Sequence, residues 1–84
     1  MDAVEDLKQE GRILDYVYLQ NVQGSAVAPE DLVRDLGLPE AEATAWLTRL
    51  SAKGLLRLEP GTLYYQLREE AWDRLDYLEE EGYL

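Results

Sequence analysis

The chain has 84 residues and a net charge of -10, so we expect one domain with a thin core and long-range repulsion of phosphate backbones. It contains neither cysteine nor histidine, which excludes disulfides, thiolate metal sites and a histidine general base. The acidic N-terminus lacks a signal-peptide pattern and no apolar run reaches the roughly 20 residues that span a bilayer, so a soluble cytoplasmic protein without membrane contact is expected.

The first predicted helix covers about residues 4–21. Its apolar side chains recur at helical spacing and form one stripe, which consists of Leu7, Ile13, Leu14, Val17 and Tyr18. Gly11 interrupts this stripe. Two interpretations of that glycine are open: a point of close packing, or the end of a loose N-terminal turn. A turn follows at residues 23–25.

The second predicted helix begins at Pro29, because a first helical position does not need the N–H that proline lacks. Gly37 ends this helix by adopting a positive φ. Its inward-facing side chains are expected to be Leu32, Val33 and Leu36. The third helix covers about residues 39–53, and Gly54 caps its end. Its buried stripe consists of Ala43, Leu47 and Leu50.

A β-hairpin and a last helix complete the chain. Leu56–Leu58 alternates like a half-buried strand, and residues 59–62 fit a type II turn with Gly61 at the position of positive φ. The side chains expected on one side of the return strand are Leu63, Tyr65 and Leu67. The last helix covers about residues 68–81, with a stripe of Ala71, Leu75 and Leu78 that Trp72 widens. Residues 82–84 are expected to fray unless they dock.

Three segments together resemble a known family. They are Glu30-Asp31-Leu32 with Leu36-Gly37-Leu38-Pro39, then Leu47, Leu50 and Lys53-Gly54-Leu55-Leu56, and then Tyr65-Gln66-Leu67-Arg68-Glu69-Glu70. Their order and spacing are similar to the winged helix-turn-helix of small prokaryotic regulators of the MarR and PadR type, over residues 12–78. The resemblance implies an α+β, mainly α fold: a winged helix with a three-helix core, a β-hairpin wing and a C-terminal fourth helix.

The same resemblance implies a single winged-helix domain over residues 1–84. The helix-turn-helix would occupy about residues 29–53, the wing about 55–67 and the C-terminal helix about 68–81. Residues 26–28 would form a short strand that pairs with the wing.

In this family the exposed face of the third helix enters the major groove and the wing touches the DNA backbone. Carried over by position, that face comprises Glu40, Ala41, Thr44, Ala45, Trp46 and Thr48, with residues 59–62 at the wing tip. Two alanines and a glutamate stand where readers of this family usually carry other polar or basic side chains. The nucleic-acid-binding residues that the resemblance implies are Thr44, Thr48, Arg49, Lys53 and Arg57.

The charge is concentrated at the two ends of the chain. Four acidic residues against one lysine give residues 1–10 a charge of -3, and seven against two arginines give residues 68–84 a charge of -5. Residues 39–67 carry three acidic and three basic residues and are neutral. Because duplex binding draws most of its non-specific affinity from Lys and Arg, this distribution disfavours DNA as the partner.

We therefore expect recognition without catalysis, by an acidic protein-interaction or regulatory factor that acts in transcription or DNA transactions. Its partner would be another protein or a second copy, as a homodimer through the last helix. The contact residues expected are Trp46, Tyr64, Trp72 and Tyr77. A dimeric repressor that binds duplex DNA directly is the alternative, and a detached domain of a larger assembly is a third possibility.

These features also have purely structural interpretations. Trp46 would cover the edge of the second helix or the hairpin, Trp72 would pack on the first helix, and acidic residues 79–81 would form a solvated face. Catalysis has little support, because Ser25 and Ser51 have no base beside them. We assign no catalytic, cofactor-binding or metal-binding residue and expect no small-molecule substrate.

Overall fold

The computed structural model describes residues 3–84, which form four helices and one β-hairpin. In chain order they are α1 (Ala3–Val22), α2 (Pro29–Leu36), α3 (Glu40–Ala52), β1 (Leu56–Leu58), β2 (Tyr65–Leu67) and α4 (Ala71–Glu80). This is the α+β, mainly α layout expected from the sequence, and its arrangement is that of a winged helix. None of these helices is both long and apolar enough to cross a bilayer.

The hairpin is antiparallel, and one residue from the connection between α1 and α2 pairs with its second strand. Leu56 pairs with Leu67 and Leu58 with Tyr65. Gly61 has a φ of +76°, and the Thr62 N–H donates to the Glu59 carbonyl at 3.1 Å, which is the predicted turn. On the other edge of β2, Val27 and Tyr65 exchange two backbone hydrogen bonds of 3.0 and 2.7 Å. The short pairing segment expected at residues 26–28 is therefore present.

The core draws buried apolar side chains from every element. They include Ile13, Leu14, Val17, Leu32, Ala43, Leu47, Leu50, Leu56, Tyr65, Ala71, Leu75 and Leu78. All members of the stripes predicted for α3 and α4 are buried. Each fully buried Leu or Ile contributes about 1.5–3 kcal/mol, so these regular stripes account for much of the stability of a small fold.

α1 runs without interruption through Gly11, so that glycine is a point of close packing and not the end of a turn. A Cβ on Gly11 would lie 2.8 Å from the Tyr83 carbonyl oxygen and 2.9 Å from Leu84 Cδ2. The C-terminal tail docks at this point, and the Tyr83 N–H donates to the Leu78 carbonyl at 2.8 Å. Residues 82–84 were expected to fray unless they dock, and they dock on α1.

α4 begins at Ala71, three residues later than predicted. The Arg68 N–H donates to the Leu55 carbonyl at 2.9 Å, which continues the ladder of the hairpin past β2. The backbone of Arg68 thus belongs to the hairpin pairing, and the helix begins only after it. A turn closed by the Ala71 N–H and the Arg68 carbonyl, at 3.0 Å, makes the transition.

Val33, which was predicted to face inward, is 37% exposed. Leu58 of the half-buried strand is 41% exposed, and Leu63, which was expected on the same side of the return strand as Tyr65, is 70% exposed. Leu63 precedes β2 and lies near the tip of the hairpin, beyond the helices that cover Leu56 and Tyr65. Val33 lies on the edge of α2 that faces the hairpin rather than on its buried stripe. Val33 and Leu63 contribute to a groove described below.

Polar contacts fasten α1 to α2. The Arg12 guanidinium donates to the Leu36 carbonyl at 2.9 Å, at the end of α2, and the Tyr16 hydroxyl donates to the Asp35 carboxylate. Burial, this hydrogen bond and the neighbouring negative charge together raise the pKa of Tyr16 to about 12. The Arg34 side chain, with help from Tyr16, lowers the pKa of Asp35.

The raised pKa of Tyr16 gives a testable pH dependence. A folded-state pKa above the ordinary value of about 10 means that the contribution to stability is complete below pH 10 and is lost as the pH rises toward 12. We expect Tyr16→Phe to cost about 1 kcal/mol at neutral pH and to remove the latest tyrosinate transition in the ultraviolet difference spectrum. Tyr77→Phe, which removes an exposed phenol, should retain that transition; its disappearance there would contradict the assignment.

Candidate functional site

The outward face of α3 carries Thr44 and Thr48, which are exposed as the resemblance implied. Arg49 lies over the ring of Trp46, with its Cζ 4.6 Å from the ring centroid. Both residues border a crevice whose other wall includes Glu5 and Asp6 of α1. Arg49 therefore shares a crevice with acidic groups of its own chain but forms no ion pair with any residue from 3 to 84.

Trp46 is half-buried, as its structural interpretation expected, but its neighbours differ from those expected. The crevices that it borders are formed with α1 and with the cluster around Glu10, rather than with α2 or the hairpin. The Trp46 ring therefore packs where α1 meets α3, and part of it remains exposed to solvent.

Lys53, the second cation predicted to contact DNA, is ion-paired. Its Nζ lies 2.9 Å from a carboxylate oxygen of Glu10, and the Arg74 guanidinium binds the other oxygen. Glu10 is 2% exposed, so one buried carboxylate joins α1, α3 and α4. Burial alone would raise the pKa of Glu10, but the hydrogen bonds and charges of Arg74 and Lys53 outweigh it and hold that pKa below its usual value.

Arg57, the third predicted cation, lies exposed on β1 opposite Gln66. It makes no ion pair or ring contact with any residue from 3 to 84. It borders a crevice with Arg68 and with Glu69 and Glu70, and Arg68 forms an ion pair of 3.3 Å with Glu70. The structure thus gives Arg49, Lys53 and Arg57 different surroundings: Lys53 is ion-paired with Glu10, whereas Arg49 and Arg57 border crevices that also contain carboxylates.

The four aromatic residues predicted to bind a partner do not share one contact network. Trp72 packs edge-on against Tyr18 of α1, with ring centroids 5.1 Å apart, and remains 48% exposed. Tyr77 lies next to the Arg74 guanidinium, whose Cζ is 5.2 Å from the ring centroid. Tyr64 is on the hairpin, away from both of these contacts in the fold. Trp72 thus packs on α1, as its structural interpretation expected, but only in part.

A groove of about 850 Å³ lies between α2, the start of α3 and the hairpin. Its apolar walls come from Ala28, Pro29, Val33, Leu63, Tyr64 and Tyr65. Polar or charged residues at its border are Glu30, Arg34, Glu40, Thr44 and Thr62. Its walls include three of the large hydrophobic side chains that this fold leaves exposed, namely Val33, Leu63 and Tyr64.

Short-range hydrogen bonds fix both walls of the groove. On the hairpin, Thr62 Oγ1 donates to the Glu59 carbonyl at 2.8 Å and accepts from the Tyr64 N–H at 3.1 Å. At the start of α2, the Asp31 carboxylate accepts from the Ala28 N–H at 2.8 Å. The groove is therefore formed before any ligand arrives.

Charge at the border of the groove is negative. Arg34 is held by Asp31 at 2.7 Å and by Asp35 at 3.0 Å, so its charge is compensated within α2. Glu30 and Glu40 form no ion pair with any residue in the described part of the chain. The groove thus combines apolar walls with two uncompensated carboxylates.

Two features were not predicted from the sequence: the buried carboxylate of Glu10 and the groove. Glu10 was treated as part of an acidic terminus, although it lies three residues after Leu7 and four before Leu14 and so falls within the apolar stripe. The groove escaped because Val33 was assigned to the core and Leu63 was placed on the same side of the return strand as Tyr65. Their apolar character was the available signal, and only the packing of the hairpin shows that they face outward.

No family model matches this chain, and no curated protein or solved structure is similar to it at a significant level. Membership of the MarR and PadR type therefore stays a prediction based on the residues that carry the resemblance.

Proposed function

We propose that this chain is a cytoplasmic, non-enzymatic recognition module that binds another polypeptide in preference to duplex DNA, in the service of transcription or another DNA transaction. The observation that carries the proposal is the state of the cations on the predicted DNA-reading surface. Arg49 borders the same crevice as Glu5 and Asp6, and Lys53 is bound to Glu10. A phosphate backbone would have to compete with Glu10 for Lys53, and it would meet Arg49 with acidic residues in the same crevice.

The overall field acts in the same direction. The net charge is -10. Two of the acidic residues that produce it, Glu30 and Glu40, border the groove close to the face that a duplex would approach. Such a field slows the encounter with polyanions and favours partners of positive charge. Exposed apolar and aromatic side chains supply the contact area that polypeptide recognition needs.

Self-association through α4 is a further part of the proposal. Trp72 and Tyr77 expose large ring area on this helix, which is the support for a homodimer. The same helix and its end carry Asp73, Asp76 and residues 79–81, so two copies would bring like charges together. Sedimentation velocity at several salt concentrations tests this part: a monomer at every concentration of salt and protein would contradict it.

A direct titration tests the choice between polypeptide and DNA. We expect generic duplex DNA to show no binding at micromolar protein in low salt, where electrostatic contacts are strongest. The alternative, a direct DNA-binding regulator, predicts binding that weakens steeply as salt increases. In that case Arg49→Gln combined with Arg57→Gln should abolish it, whereas Glu79→Gln combined with Glu80→Gln, a control on α4, should not. Salt-dependent binding lost only in the arginine double variant would overturn the proposal.

A further inference from the structure

We propose that the groove between α2, the start of α3 and the hairpin binds a basic, amphipathic segment of a partner protein. This inference rests on the proposed function and specifies its site and the chemistry of its partner. The segment would place one or two apolar side chains between Val33 and Tyr64, and flank them with Lys or Arg residues that face Glu30 and Glu40.

The apolar part of the argument starts from Leu63. This side chain is 70% exposed at the tip of a hairpin whose register and turn do not depend on it. Val33 and Tyr64, 37% and 46% exposed, line the same groove. Scattered single exposed hydrophobic residues are ordinary, but several that line one preformed concave surface are typical of a binding site.

Charge complementarity defines the occupant. Glu30 and Glu40 border the groove, and neither forms an ion pair within residues 3–84, while the one cation at the border, Arg34, is held by Asp31 and Asp35. A partner segment with positive charges gains attraction at both carboxylates, and an acidic segment or a nucleic acid is repelled. A second copy of this chain, which also carries -10, is a poor occupant for the same reason.

Preorganisation makes a short segment sufficient. Thr62 holds the tip of the hairpin by two hydrogen bonds, and Asp31 fixes the first turn of α2. Because both walls are already ordered, little conformational entropy is lost by the protein on binding, and the ordering cost falls mainly on the incoming segment.

The experiment begins with an unbiased selection. A display library of random peptides is selected on immobilised full-length wild-type protein, with Leu63→Ser as the counter-target. We expect the enriched peptides to carry excess Lys and Arg together with one or two large apolar residues. Enrichment of neutral or acidic peptides, or a failure to enrich any peptide over the counter-target, would overturn the inference.

Affinities then locate the site. The most enriched peptide is measured by fluorescence anisotropy against variants whose fold is verified by circular dichroism. Leu63→Ser and, independently, Val33→Ser should weaken binding by about tenfold, because each removes apolar contact. Leu19→Ser is the matched control, since Leu19 is 48% exposed on α1 outside the groove, and it should leave the affinity unchanged.

The charge contribution has its own matched pair. Glu30→Gln with Glu40→Gln should weaken the peptide about fivefold in low salt, whereas Glu79→Gln with Glu80→Gln, with the same net charge, should change it less than about twofold. Equal losses in both double variants would mean non-specific attraction and would overturn the inference. Binding that persists in the groove variants but is lost in Trp46→Ala or Trp72→Ala would move the site elsewhere. That outcome overturns the groove and leaves the proposed function standing, whereas firm DNA binding removes the proposed function itself.

Discussion

Replacing Glu10 with glutamine is expected to lower the free energy of unfolding by about 2 kcal/mol, measured by chemical denaturation at neutral pH. Glu10 is 2% exposed, and its carboxylate accepts from both Lys53 and Arg74. A neutral amide cannot compensate two cations and offers one acceptor oxygen. The cost stays below the 3–5 kcal/mol typical of a fully buried pair, because Lys53 and Arg74 are 47% and 30% exposed and can turn toward water.

The same substitution should change the acid sensitivity of the protein. The folded-state pKa of Glu10 lies below its ordinary value of about 4.3, so its contribution is present above that pH and is lost as the pH falls through the folded-state pKa. The difference in stability between wild type and Glu10→Gln should therefore be constant from neutral pH down to about 5 and shrink below about 4.

Asp15→Asn provides the control for Glu10. Asp15 is an exposed carboxylate of the same helix, and its substitution should alter stability by no more than about 0.5 kcal/mol. If the two variants are equally stable, or if the difference for Glu10 does not depend on pH in the acid range, the buried cluster does not hold α1, α3 and α4 together as described.

Periodic elements of this fold could be predicted because their information is local. The stripe of Ala43, Leu47 and Leu50 needs only helical spacing, and each residue is buried. Gly37 and Gly61 have the positive φ values expected from their positions after a helix and within a turn. In each case the residue type and its immediate neighbours are sufficient to fix the conformation.

The errors arise where distant segments decide the outcome. α4 was predicted to begin at Arg68, but the backbone of that residue is paired with Leu55 across the hairpin. Glu10 is buried together with partners that are 43 and 64 residues away in sequence. No local pattern specifies such partners, so a charged residue within an apolar stripe could be assigned either to solvent or to an ion pair.

The candidate site was predictable in its components and not in its arrangement. Exposure of Thr44, Thr48 and Tyr64 followed from their positions in the pattern. The pairing of Lys53 with Glu10 did not, and it matters because one of the three bases in a neutral segment is already engaged by a carboxylate of α1. The proposal that DNA is disfavoured therefore draws on this ion pair as well as on the distribution of charge along the chain.

Asn21 connects α1 to the hairpin, and its replacement by alanine is the second large effect that we expect. Its Oδ1 accepts from the Leu67 N–H at 2.7 Å, and its Nδ2 donates to the Ser25 carbonyl at 2.8 Å. The Leu67 N–H lies on the edge of β2 that faces away from β1, so no strand partner can replace the amide. Asn21→Ala should cost about 2 kcal/mol, as about 1 kcal/mol is lost for each unmade hydrogen bond.

Amide hydrogen exchange identifies the cause of that loss. In wild type the Leu67 amide should exchange slowly, and in Asn21→Ala it should exchange much faster, while amides in the middle of α3 change only in line with overall stability. Gln23→Ala removes an exposed amide from the same connection and should shift stability by less than about 0.5 kcal/mol.

If the Leu67 amide stays protected in Asn21→Ala, β2 is held by its pairing with β1 and with Val27 alone. The groove wall would then not depend on α1, and the affinity for the peptide should be the same in Asn21→Ala and Gln23→Ala. If protection is lost, the hairpin that carries Leu63 and Tyr64 is loosened, and groove binding should weaken with it.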